Sequence, residues 1–121
     1  VVHAMLDAAH AGKPIRIDQP GTRLSIAFLD DVVDLLSALW RLPWPKNSAT
    51  YNIACPDTPT LLELAQMIVS KSGSGSELQC GESAARNRVL DVSRLSREMG
   101  LTPRTVSDGI DQAFSKWADV N

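Results

Sequence analysis
The sequence predicts an α/β fold, a small mixed sheet with flanking helices, on three observations. Apolar residues recur at helical spacing in several stretches. Short apolar runs bounded by turn residues lie between them. The two kinds of segment alternate along the chain, so crossovers long enough for parallel pairing are available. The 121 residues suffice for one domain with its own core.

Val2, Met5, Leu6 and Ala9 share one face of a first helix, Val2 to Ala11, which Gly12 stops and Pro14 follows. Ile15-Arg16-Ile17 reads as a strand and Gln19 to Thr22 as a turn. Leu24 to Leu29 is apolar enough for a mostly buried strand. Asp30 and Asp31 then open a helix whose Val32, Leu35, Leu36, Leu39 and Trp40 form a buried stripe, ended by Pro43 and Pro45. Tyr51 to Ala54 is a strand candidate. Thr60-Leu61-Leu62-Glu63 is a capping-box pattern, opening a helix with Leu61, Leu64, Ala65 and Ile68 on one face. Ser70 to Ser76 reads as a flexible loop. Arg88 to Leu90 is a further short strand. Asp91 or Ser93 caps a helix holding Leu95 and Met99, ended by Gly100 and Pro103. Thr105 opens the last helix, with Val106, Ile110, Ala113, Phe114 and Trp117 facing inward.

Composition narrows the function. Apolar residues make up 44% and charged residues 21%, with a net charge of -2. No basic cluster stands out, so nucleic acid is not an expected partner. The longest apolar runs, such as Ile26 to Leu29, are too short to span a bilayer, and no signal-peptide pattern is visible. Cys55 and Cys80 form no metal or redox motif, and two free thiols suit a reducing cytoplasm. The first helix starts without a capping residue, which reads as a chain cut from something longer.

Four segments then carry a resemblance. Gly12-Lys13-Pro14-Ile15 is the first. The second is Gly21 to Val33, with Arg23, Phe28, Asp30, Asp31 and Val32 at the marked places. Tyr51-Asn52-Ile53-Ala54 followed by Thr60 to Ala65 is the third. The fourth joins Asp91-Val92-Ser93-Arg94, Met99 to Pro103 and Asp108-Gly109-Ile110. In this order they resemble the C-terminal, substrate-binding lobe of a Rossmann-type extended short-chain dehydrogenase/reductase, the NAD-dependent epimerase/dehydratase family. Residues 1–121 are then that lobe, and the NAD-binding Rossmann domain lies outside the chain.

That resemblance implies a parent enzyme using NAD or NADP on a small-molecule substrate, often a nucleotide-linked sugar. In such enzymes a Tyr-x-x-x-Lys pair handles the proton and a glycine-rich turn seats the pyrophosphate at a helix N-terminus. Neither is present here. Tyr51 is followed four residues on by Cys55, and Gly73-Ser74-Gly75 follows a helix rather than a strand. No catalytic, cofactor-binding or metal residue is therefore assigned, and the chain by itself is expected to bind no NAD(P).

The resemblance makes Arg23 the first substrate-binding candidate, since an arginine there commonly faces the substrate's diphosphate and a guanidinium can grip phosphate oxygens bidentately. A second phosphate-facing arginine of the family falls on Gly81 here. Arg86 and Arg88 are the candidates to replace it from a different angle. Asp30, Asp31 and Asp91 read as helix caps, His3 and His10 lack a third metal ligand, and Trp40, Trp44 and Trp117 read as packing residues. A stripped lobe should cover its exposed surface by symmetric self-association, through the first helix or the Tyr51–Ile53 strand, so a homodimer is expected. The competing reading is a stand-alone α/β binding or interaction module without chemistry.

Overall fold
Helix α3 (Leu61–Ser72) organises the core of the computed structural model, which describes residues 1–43 and 49–120. The helix begins with the full capping box: Glu63 N–H donates to the Thr60 hydroxyl, and the Thr60 N–H donates to the Glu63 carboxylate. Leu64, Ala65 and Ile68 are buried on its inner face. Each large apolar side chain so buried stabilises the fold by roughly 1.5–3 kcal/mol. Packed against α3 are helix α1 (Val2–His10), helix α5 (Val106–Val120) and both strands of the sheet. Met5, Leu6 and Ala9 come from α1, Val106 and Ile110 from α5.

The sheet has two parallel strands, β1 (Ile15–Ile17) and β2 (Leu78–Cys80), in the register Ile15 opposite Leu78 and Ile17 opposite Cys80. Ile15 and Ile17 turn into the core while Arg16 faces out, as the two-residue period of a strand requires. Two isolated bridges lie beside the sheet, Arg23 with Thr60 antiparallel and Leu24 with Arg88 parallel. The remaining helices are α2 (Leu29–Arg41) and α4 (Ser93–Met99). Gly100 ends α4 in the left-handed conformation (φ 64°), which glycine adopts without a β-carbon penalty.

Several expectations are corrected. Leu24 to Phe28, Tyr51 to Ala54 and Arg88 to Leu90 form no strands; the backbone bonds at or beside them are isolated rather than a ladder: Ser25 N–H to Arg88 O, Arg88 N–H to Arg23 O, and Cys55 N–H to Ile26 O. Leu29 belongs to α2. Strand β2 falls where no strand is expected. The α2 stripe is only half buried: Leu35 is inside, but Leu36 and Trp40 are exposed. Ser70 to Ser72 belong to α3, Gly73 is its left-handed cap, and the hydroxyls of Ser72, Ser74 and Ser76 form a hydrogen-bonded chain, so this stretch is more ordered than a flexible loop. The expected roles of Trp44 and Pro45 lie outside the described residues.

Candidate functional site
The segment Thr22–Ser25 runs between two others and is held by both. Thr22 is buried, and its hydroxyl accepts from the Arg86 N–H at 2.9 Å while its carbonyl accepts from Leu61 N–H at 2.9 Å. The Arg23 N–H donates to the Asn87 side-chain carbonyl (2.9 Å), and Leu90 N–H donates to the Ser25 hydroxyl (2.8 Å). On the other side, Arg23 Nη1 donates to the Thr58 carbonyl at 2.7 Å. These contacts bring the backbones of Arg86 and Arg88 alongside the Thr22–Leu24 segment that carries Arg23, although the first arginine is more than sixty residues from the other two.

All three arginines are exposed, and among the described residues none is in an ion pair. Thr58 also borders a cleft of about 360 Å³ lined by Cys55, Leu90, Asp91, Ser93 and Thr102 among others. A second hollow, of about 520 Å³, lies between α1 and β1, with Met5, Ala8, Ile15 and Ile17 along it and Arg16 and Asp18 at its edge.

Cleft chemistry follows from its surroundings. Burial, then the charges of Asp57 and Asp31, push the Cys55 thiol up to about 11, so it is protonated near neutrality and unsuited to nucleophilic attack. Asp91 accepts from Ser93 N–H at 2.9 Å, and its hydrogen bonds to Ser93 hold the carboxyl below its ordinary value. Val92 holds the cap position of α4 and no side chain caps it, so the expected cap at Asp91 or Ser93 is corrected: Asp91 stands one residue before the cap and Ser93 is the first residue of the helix.

Asp30 and Asp31 do not cap. Phe28 holds the cap position of α2, and both aspartates lie inside the first turn. Asp30 pairs with Lys116, while buried Asp31 pairs with Arg104 at 2.7 Å. The two histidines face different neighbours: His3 lies 3.7 Å from Asp7, and His10 meets Trp117 edge-on. Asn87 and Thr58, which fix Arg23, escape sequence reasoning because their partner is distant in the chain and nothing local marks it. Among the described residues no helix is long and apolar enough to cross a membrane.

No family model matches the sequence. A dTDP-4-dehydro-6-deoxy-D-allose reductase from Streptomyces sp is 29% identical over 120 residues, covering 97% of this chain and 36% of that protein. The chain thus spans about a third of the length of the curated relatives it matches. Among solved structures, the Thermotoga maritima UDP-glucose 4-epimerase with UDP-glucose superposes on 98% of this chain and 39% of its own (TM-score 0.79, 15% identity). The Bordetella bronchiseptica enzyme WbmF in complex with NADH superposes on all of this chain and 37% of its own (TM-score 0.79, 23% identity). With relatives and neighbours of this kind along nearly its whole length, the chain matches a fragment of an extended short-chain dehydrogenase/reductase of the NAD-dependent epimerase and reductase group.

Proposed function
We propose that this chain is the C-terminal, substrate-binding portion of an NAD(P)-dependent enzyme acting on a nucleotide-linked sugar, with Arg23, Arg86 and Arg88 facing the substrate's diphosphate. The observation that supports this is the meeting of two backbone segments, 22–24 and 86–88, which between them bear the three exposed arginines. Two or more guanidinium groups can share a diphosphate's oxygens through charge-assisted hydrogen bonds. The Thr58 carbonyl fixes one end of the Arg23 guanidinium and so limits the freedom it would lose on binding.

The chain's own residues do not fit the dinucleotide. Gly73 closes the C-terminal end of α3, where free carbonyls repel a pyrophosphate, rather than opening a helix where N–H groups would hold it. The residue four after Tyr51 is the buried Cys55, not a lysine. Binding of NAD(P) and hydride transfer are therefore assigned to the remainder of the enzyme.

In the longer enzyme, Arg23→Ala is expected to weaken binding of a dTDP- or UDP-linked sugar by roughly 10–150-fold, the loss of a charged hydrogen bond of about 1.5–3 kcal/mol, and to leave NAD(P) affinity unchanged. Calorimetric titration of both ligands checks it. An unchanged sugar-nucleotide affinity removes Arg23 from the site, and micromolar binding of NAD by residues 1–121 in isolation overturns the division of labour.

A further inference from the structure
Every residue from Glu82 to Asp91 is exposed, so this segment has no buried face to hold it in place. Its ends are anchored by backbone groups. Ser83 N–H donates to the Asp18 carbonyl at 3.2 Å, and the Asp91 carbonyl accepts from Asn52 Nδ2 at 3.0 Å. Between these anchors the segment runs beside Thr22–Ser25. Arg88 supplies the backbone-to-backbone bonds there, its N–H donating to the Arg23 carbonyl (2.9 Å) and its carbonyl accepting from Ser25 N–H (3.0 Å). On either side of Arg88 the bonds are completed by side-chain oxygens. Thr22 Oγ1 accepts from Arg86 N–H, Asn87 Oδ1 from Arg23 N–H, and Ser25 Oγ from Leu90 N–H.

Register is strongly specified where a paired segment buries one face and weakly where it buries none. Here the side-chain bonds must set it. Thr22 and Asn87 reach across the seam in opposite directions, each oxygen taking a backbone N–H of the other segment, so a slip of one residue breaks both bonds at once. That slip displaces Arg86 and Arg88 together relative to Arg23. Thr22 is itself a firm post: it is 3% exposed, and its hydroxyl also donates to Gln19 Oε1. We propose that Thr22 and Asn87 are positioning residues, which fix the register between the two arginine-bearing segments and so set how tightly the site holds a nucleoside diphosphate. The role rests on the diphosphate reading above. Its physical basis is preorganisation: arginines already held in register lose less freedom when the anion binds.

The test uses the full product of the encoding reading frame and the variants Thr22→Val, Thr22→Ser and Asn87→Ala. Valine keeps the shape of threonine and removes the acceptor, serine restores the hydroxyl, and Asn87 is exposed, so its loss should leave folding intact. Hydrogen–deuterium exchange reads the seam, and calorimetry reads dTDP, UDP and NAD(P) separately. Thr22→Val and Asn87→Ala are expected to speed exchange over residues 82–91 and to weaken dTDP or UDP binding, each by roughly 2–13-fold, the equivalent of one ordinary hydrogen bond. Exchange in α3 and NAD(P) affinity should stay unchanged, and Thr22→Ser should behave as the parent protein. Unchanged exchange over 82–91 overturns the register role. Faster exchange with unchanged nucleotide affinity overturns the link to the site, and so does an equal loss of NAD(P) affinity or a failure of Thr22→Ser to rescue. A parent protein that binds neither dTDP nor UDP overturns the diphosphate reading itself, and this role with it.

Discussion

A β-carbon added at Gly109 would land inside the ring of Phe28, so that residue is fixed by sterics rather than by the backbone. Both positions lie in segments that carry the family resemblance, and here they touch. Gly109→Ala would gain up to ~1 kcal/mol of helix propensity in α5. The overpacking costs about 1–3 kcal/mol and wins. The variant should therefore unfold at lower urea concentration, and adding Phe28→Leu should restore part of the loss by vacating the space. A neutral Gly109→Ala would show that the ring swings aside freely. Gly81 is constrained in a related way, since its β-carbon would stand 2.9 Å from the Asp18 carbonyl oxygen.

Between elements, the N-terminal turn of α2 is clamped to α5 and to the residues leading into it. Asp31 bonds Arg104, Asp30 bonds Lys116 and Gln112, and the Val106 N–H at the head of α5 donates to Asp57. Asp31→Ala is expected to destabilise by about 1.5–3 kcal/mol, since it leaves a partly buried guanidinium without its closest partner. Adding Arg104→Ala should cost little more, because the two act as one unit, and a double-mutant cycle from denaturant midpoints measures that coupling. These clamps were not legible in the sequence, where Asp30 and Asp31 read as caps, because an ion pair between residues seventy or more apart leaves no local pattern. Helices were legible because their burial repeats every three to four residues: the capping box of α3 and the inward face of α5 are both as the spacing requires. Short extended segments were not. Leu24 to Phe28 is apolar because Ile26 and Phe28 pack on the core, not because a ladder holds it, whereas Leu78-Gln79-Cys80 forms a strand with a single large apolar residue to announce it. Arg23, Arg86 and Arg88 were named from the resemblance. The asparagine and threonine that hold the first of them came only with the fold.

For the molecule as a whole, stability should fall at both ends of the pH scale. Lys116 holds Asp30 below its ordinary value, the Ser93 hydrogen bonds do the same for Asp91, and Arg94 does so for Glu98. Carboxylates depressed in the folded state contribute fully above their unfolded values and lose that contribution as pH drops through the folded ones, so the decline sets in below roughly pH 4. Cys55 acts with the opposite sign. Its thiol is raised in the folded state to about 11, so its contribution is intact below the unfolded value and fades as pH climbs toward the folded one. Urea midpoints measured from pH 3 to 11 should trace a plateau with two shoulders, and Cys55→Ala should flatten the alkaline one. An alkaline shoulder unmoved by that substitution would assign it to another group.

The arginine patch also has a place in time. Its contacts close loops of 35 and 64 residues, from Arg23 to Thr58 and to Asn87. Closing a long loop costs entropy before any contact rewards it, so pairings of such separation form slowly and late. During synthesis Arg23 leaves the ribosome long before Arg86 and Arg88, and its backbone N–H waits for Asn87 even after Thr58, the partner of its side chain, has emerged. This meeting of the two segments is thus a product of completed folding, and a chain interrupted before that point can hold its first helices yet lack it.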